Sequence, residues 1–267
     1  MTECFLCGNK KLKEYHYKVF YDSSIICKIY VCPDCGNCFQ LKHNENQYIE
    51  INKTTFNKYQ MLNKRPESVK NILDTISGIK QLKNNSLLDL CCGEGDFTNA
   101  ASQAGANAYG IDIIENPKIS GRNNFFIGDF LKYDFKGKKF DIITCNMSFA
   151  YFSDSIAAIK KIYDLLNPSG IFYMKQKSVY YLHALSKKKF IYTLHKNVYP
   201  HDYFLGGAKA MKLLFQKGGF EKIKVSGIDE NTIAHLKKFN NKIGFAFWYI
   251  MAKLNLYGML NATGFKN

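Results

Sequence analysis

The sequence predicts an α/β protein, a doubly wound sheet behind a small cysteine-bearing module. Three observations carry this expectation. Two C-x-x-C pairs, "CFLC" (Cys4, Cys7) and "CPDC" (Cys32, Cys35), stand at the front of the chain. From about residue 66 strand-like and helical patterns alternate, the signature of a parallel sheet with helices on its faces. And "LLDLCCGEGDF", Leu87 to Phe97, carries an apolar run straight into two glycines one residue apart. So little side chain at a strand exit leaves room for something bulky against the backbone.

The front module comes first. The stretch "YHYKVFYDSSIICKIYVC" between the pairs is rich in β-branched and aromatic residues and predicts a hairpin. Gly8 and Gly36 follow the two pairs and permit tight turns. Two such knuckles on a hairpin let four thiolates converge on one ion, a tetrahedral Cys4 zinc ribbon with ligands Cys4, Cys7, Cys32 and Cys35. Because protein would fill all four positions, the zinc is expected to be structural. Cys27 and Cys38 are spare, and Cys38 is an alternative to Cys35. His16 and His43 read as solvated or packed histidines. The expected organisation is a ribbon over 1–45, a connecting segment over 46–65 and a main domain over 66–267. Tyr48, Phe56 and Tyr59 of the connection suit a packing strap, or part of a substrate lid.

The main domain opens on "PESVKNILDTISGIKQL", whose Val69, Ile72, Leu73, Ile76 and Ile79 form a helical stripe behind Pro66. Strand-like runs follow: "SLLDLCC", "NAYGIDII", "NFFIGDF", "FDIITCNM" and "GIFYMKQ". Helical segments such as "DFTNAASQAG" and "SIAAIKKIYDLL" separate them. Ligands of such sheets bind at the carboxyl ends of the strands, and Asp89, Asp112 and Asp129 are expected there. The spacing from Asp89 to Asp112 suits an acid that meets ribose hydroxyls. A dinucleotide would call for G-x-G-x-x-G, but Thr98 holds the third glycine position. An acid just upstream of the turn suits a ligand with an ammonium and no phosphate. Asp141, in "KFDII", reads as a surface turn acid.

At these residues the chain resembles the class I S-adenosylmethionine-dependent methyltransferases, from about residue 65 to the end. "LLDLCCGEGDFT" resembles the family's D-x-G-x-G-x-G motif, with Cys91 where glycine is usual. "YGIDI" and "IGDF" resemble its second- and third-strand acids, and "LLNPSGIFYM" its L-x-P-G-G turn. "LLFQKGGFEKIKVSG" and "GMLNATGFK" resemble its antiparallel sixth and seventh strands. The resemblance implies a Rossmann-like, seven-stranded sheet and S-adenosylmethionine as cofactor. It implies that Asp89, Cys91, Gly93 and Gly95 surround the methionine part, and that Asp112 accepts from the ribose with Ile113 beside the adenine. Asp129 would accept from the adenine amino group with Phe130 packed nearby, while Asn146 and Met147 line the methyl-transfer face.

The acceptor is read from side features. "NMSF" after the fourth strand lacks the Pro-Pro of methyltransferases acting on base or amide nitrogens. A Cys4 ribbon ahead of this domain is similar to sugar and glycan methyltransferases, including deoxysugar C-methyltransferases, and to a ribosomal RNA guanine methyltransferase group. "YVCPDCGNCFQL" and the histidine stretch "YPHDYF" are more similar to the first. That group's Glu-His after strand four is absent; Ala150 and Tyr151 stand there. His201 is the expected base, Tyr151 a second catalytic candidate, and His183 and His195 candidates for lining the acceptor site. A small-molecule or glycan acceptor is therefore expected. An RNA methyltransferase and a binding protein with a degenerate domain are the alternatives.

Bulk properties bound the partners. The net charge is +15, yet of 37 basic residues only Arg65 and Arg122 are arginine. Arginine is the usual bidentate reader of phosphate and guanine, so the charge is read as solvated lysine and no nucleic-acid partner is expected. No run of about 18 apolar residues occurs, and "MTECFLCGNKK" has no apolar signal core. A cytoplasmic protein is expected. The apolar segment over 243–260 reads as a core helix; peripheral membrane contact through it is the alternative.

Overall fold

The computed structural model describes residues 3–18, 26–40, 66–178, 203–227 and 259–267, together with Ala246, Tyr249, Ile250 and Lys253. Ten strands and four α-helices lie among them. The front module is a three-stranded antiparallel sheet of β1 (Lys13–Lys18), β2 (Ile26–Val31) and β3 (Cys38–Phe39). The rest builds on α1 (Pro66–Ser77), β4 (Ser86–Leu90), α2 (Asp96–Gln103), β5 (Asn107–Asp112), β6 (Phe125–Ile127) and β7 (Phe140–Asn146). It continues through a 3-10 turn (Phe149–Tyr151), α3 (Ser155–Leu165), β8 (Leu166–Lys177), α4 (Ala208–Gly218), β9 (Lys222–Ser226) and β10 (Met259–Phe265).

The large sheet has the order β6-β5-β4-β7-β8-β10-β9. The first five of these strands are parallel, and β10 inserts antiparallel between β8 and β9. The expected doubly wound, seven-stranded sheet with an antiparallel last pair is borne out. The order reverses at β4, so that strand's carboxyl end is the topological switch point where such sheets take ligands.

Burial follows the alternation of each strand. One face packs Leu88, Leu90, Ile143, Cys145, Phe172 and Met174 against α3 and α4. The other packs Leu87, Ile142 and Ile171 against α1 and α2. Ribbon residues Cys4, Leu6, Cys32 and Cys35 belong to the first of these clusters. Backbone bonds complete the docking. The Leu205 amide donates to the Cys38 carbonyl at 2.8 Å, the Gly207 amide to that of Gly36 at 3.4 Å, and Lys209 Nζ to that of Asp34 at 2.6 Å.

One sequence expectation is corrected here. Asp141 is not a surface turn acid but a partly buried residue of β7. Its carboxylate accepts from the Ser86 amide and hydroxyl and from the Asn167 side chain at 2.7–2.9 Å, tying the starts of β4, β7 and β8 together. Those hydrogen bonds outweigh its partial burial and hold its carboxyl below the usual range.

Candidate active site

The turn after β4 explains its composition. Cys91, Gly93 and Gly95 have φ of +55°, +56° and +79°, so every second residue is left-handed, a conformation glycine adopts without cost. Cys91 occupies one of these positions as a non-glycine residue. At Gly95, where α2 begins, even a methyl group would lie 2.7 Å from two ring atoms of Phe125 and 3.0 Å from Ile119. Gly95→Ala should therefore cost about 1–3 kcal/mol of stability from strain and overpacking, measurable by denaturant unfolding; an unchanged midpoint would show that Phe125 simply swings away.

Two acids flank the turn in different ways. Asp89, in β4, is 3% exposed. Its oxygens accept from the Thr144 hydroxyl at 2.8 Å and the Thr98 hydroxyl at 3.3 Å. Burial pushes its carboxyl up to about 7, against the pull of those two hydroxyls. Asp112, at the end of β5, accepts from the Gly93 amide at 2.8 Å and the Ile114 amide at 2.9 Å. Burial raises its pKa as well. The second acid thus fixes the glycine turn and keeps lone pairs for a ligand. Glu94 of the turn pairs with Lys118.

A cavity of about 410 Å³ opens beside Asp112. Its walls include Cys91, Asp112, Ile113, Asp129, Phe130 and Tyr151, six of the residues singled out from sequence. Asp129 both opens a turn, accepting from the Leu131 amide at 2.9 Å, and faces this space. Phe130 packs on Phe152 at 5.4 Å. Lys161 of α3 holds the following loop, donating to the Leu131 and Tyr133 carbonyls at 3.0 and 2.7 Å.

Asp89, Asn146 and Met147 lie at the carboxyl edge but not in the cavity wall. Met147 is left-handed at φ +65°. The buried Asn146 amide makes no hydrogen bond of ordinary geometry, but it lies close enough to the Asp89 carboxylate to favour that acid's charged form. Sequence reasoning missed Tyr203, a cavity wall residue whose amide donates to the Ala150 carbonyl at 2.7 Å. Its place in "YPHDYF", two positions after His201, was the available signal. His201, His183, His195, Tyr48, Phe56, Tyr59 and most of 243–260 lie outside the described residues.

The cysteine expectation meets a defined cluster. The Sγ atoms of Cys4, Cys7, Cys32 and Cys35 all lie within 4.8 Å of one another, and the Cys4–Cys35 and Cys7–Cys32 pairs are 3.5 Å apart. Tetrahedral zinc at ~2.3 Å from each sulfur requires sulfurs ~3.8 Å apart, so the donor set fits. The knuckles are built alike. Gly8 and Gly36 donate to the Cys4 and Cys32 carbonyls, and Cys4 and Cys32 donate to those of Asn9 and Asn37. Cys38, the alternative ligand, sits instead in β3.

Comparison with known proteins follows this geometry. Residues 61–225 match the family model described as "Methyltransferase domain". The chain belongs to the methyltransferase-domain family. A demethylmenaquinone methyltransferase of Lactococcus lactis is 27% identical over 152 residues, 51% of this chain and 60% of that protein. The one from Staphylococcus aureus strain JH9 is 24% identical over 60% of this chain and 79% of its own length. The chain therefore spans about three-fifths of the first of these relatives. Among solved structures, the plantazolicin methyltransferase BpumL, in complex with a desmethylplantazolicin analogue and S-adenosylhomocysteine, superposes with a TM-score of 0.57. It is 19% identical and covers 82% of this chain and 92% of its own. The expected methyltransferase domain and Rossmann-like fold are borne out. No helix among the described residues is long and apolar enough to cross a membrane.

Proposed function

We propose that the protein transfers a methyl group from S-adenosylmethionine to a sugar, nucleotide-sugar or glycan, with a structural zinc in the ribbon. The observation that carries the cofactor assignment is the cavity beside β4. It joins a left-handed turn to two acids, Asp112 and Asp129, and to aromatic and aliphatic walls, Phe130 and Ile113. That set matches an adenosine: hydroxyls for Asp112, an amino group for Asp129, a flat base for the apolar walls. The relatives act on unlike acceptors by their names, so the acceptor class rests on the ribbon and on "YPHDYF".

The bound sulfonium supplies an already activated methyl group. The chain must then align the acceptor and remove its proton. The acceptor's electron pair forms the bond to the methyl carbon, the carbon–sulfur pair stays on sulfur, and the acceptor's proton passes to a base. His201 is proposed for that role, with Tyr151 in the cavity wall beside the reacting groups. Incubation with methyl-labelled cofactor and a panel of nucleotide-sugars, followed by mass spectrometry, tests the acceptor. Label on a sugar supports the reading; label only on RNA or protein contradicts it.

Asp89 makes the cofactor's affinity pH-dependent. Its carboxyl titrates at about 7 without ligand. Below that it is neutral, above it is an anion, and a ligand ammonium favours the anion. Affinity for S-adenosylhomocysteine should therefore fall as pH drops through about 7, toward about tenfold per unit. It should fall again at alkaline pH as the ligand's amine loses its proton near ~8. Calorimetry across pH checks this, and Asp89→Asn should flatten the acid limb. An acid limb unchanged in that variant would assign it elsewhere.

A further inference from the structure

The four sulfurs of the ribbon are not served alike. The two knuckles share one pattern, "CFLCGN" and "CPDCGN", and each ends on an asparagine. In both, the asparagine carbonyl accepts from the amide of the first cysteine. The two side chains then diverge. Asn9 stays within its own knuckle, its Oδ1 accepting from the Lys11 amide at 2.6 Å. Asn37 crosses to the other knuckle, where its Nδ2 donates to the Cys4 sulfur at 3.7 Å. The Asn37 backbone amide donates to the sulfur of Cys35. One residue therefore reaches two sulfurs, one from each knuckle, and those two lie 3.5 Å apart.

Burial sharpens the difference. Asn9 is half-buried, whereas Asn37 is 0% exposed. The Asn37 Oδ1 meets no hydrogen-bond partner among the described residues. Leaving a buried amide oxygen unbonded costs about 1–3 kcal/mol, and a leucine of similar shape would avoid that cost. What leucine cannot do is donate. An amide oxygen cannot donate either, so the NH2 end must be the one that faces Cys4. A donor aimed at an anionic sulfur makes a charge-assisted bond. Groups that bond to metal ligands orient them and tune their donor strength.

We propose that Asn37 is a positioning residue for the zinc. Its side-chain amide on Cys4 and its backbone amide on Cys35 hold one sulfur of each knuckle at the spacing a single ion needs. This rests on the structural-zinc reading above and adds to the four ligands the residue that sets two of them. Asn9, the same residue at the same place in the other knuckle, does not share the role. The placing also bears on how the ribbon docks. Gly36 and Cys38, on either side of Asn37, accept through their carbonyls from the Gly207 and Leu205 amides.

The test uses the full chain loaded with cobalt(II) in place of zinc. Thiolate-to-cobalt charge-transfer absorption reports the electron density on sulfur, and the visible ligand-field bands report the geometry. Removing a donor raises the density on sulfur. In Asn37→Leu and Asn37→Ala the charge-transfer band should therefore move to longer wavelength while the ligand-field bands keep their tetrahedral pattern. Zinc affinity, measured by competition with a chromophoric chelator, should fall about 10–100-fold, the usual effect of losing a group that orients a metal ligand. Asn9→Ala should keep the wild-type spectrum, with an affinity within about threefold, well below that scale. A spectrum and affinity unchanged in Asn37→Leu overturn the proposal. So does an equal loss in Asn9→Ala, which would assign the effect to knuckle shape. A wild-type measurement removes any dependence on how the variants fold. With a spin-half cadmium isotope in the site, the Asn37 side-chain amide protons should show scalar coupling to the metal across the bond to Cys4. Coupling to the Asn37 backbone amide with none to its side chain overturns the proposal. A wild type that binds neither zinc nor cobalt would instead refute the zinc reading itself.

Discussion

Replacing Cys4 and Cys32 together by serine should leave the chain without bound zinc and lower its stability by several kcal/mol. The change removes one thiolate from each knuckle, and two remaining sulfurs cannot close a tetrahedral site. The ribbon has little else to hold it. Its strands are six, six and two residues long, and a sheet that small rarely folds on apolar burial alone. In structural zinc sites the metal's binding energy is folding energy. The effect should spread, because Cys4, Leu6, Cys32 and Cys35 are part of the main core cluster and the Leu205 amide bonds to Cys38. Metal analysis and thermal unfolding check it. One equivalent of zinc retained by the double variant, or a metal-free wild type that melts at the same temperature, would refute the site.

His201→Ala should slow methyl transfer by about 10²–10⁴-fold, the usual contribution of a general base, while cofactor affinity stays near wild type. A sugar hydroxyl, or a carbon beside a carbonyl, is a poor nucleophile until its proton is taken, and histidine suits that task near neutral pH. Tyr203, two positions after His201, lines the cavity, and its amide is anchored on Ala150. Single-turnover transfer in wild type, His201→Ala and Tyr151→Phe separates the candidates. Full activity in His201→Ala would move the base to Tyr151 or leave alignment alone as the mechanism.

Much of this was legible in the sequence because the determinants are local. Period-two and period-3.6 patterns placed β4 to β8 and α1 to α3 within a few residues, and paired knuckles marked the four sulfurs before any distance was known. The glycine turn was readable for the same reason, although the motif's spacing gave only composition. Dihedral angles were needed to show that Cys91 shares the left-handed conformation of Gly93 and Gly95. What sequence could not give depends on register between distant strands. Lys175, Asn261 and Ser226 sit in unremarkable strand patterns, and only the pairing of β8 with β7 and β10 aligns them with Asn146. Asp141 was misread for a related reason, since its partners Ser86 and Asn167 lie 55 and 26 residues away in sequence.

The central claim is that the cavity beside β4 takes S-adenosylmethionine, and calorimetry of the full chain with S-adenosylhomocysteine and with NAD tests it most directly. The claim predicts saturable binding of the first and none of the second, because the turn offers Asp89 and a left-handed backbone but lacks the third glycine of a pyrophosphate site. It also predicts that Asp112→Ala loses about 1–3 kcal/mol of that binding, the cost of leaving ligand hydroxyls without their acceptor. Tight binding of NAD with no binding of S-adenosylhomocysteine, or an Asp112→Ala variant that binds as wild type, would contradict it.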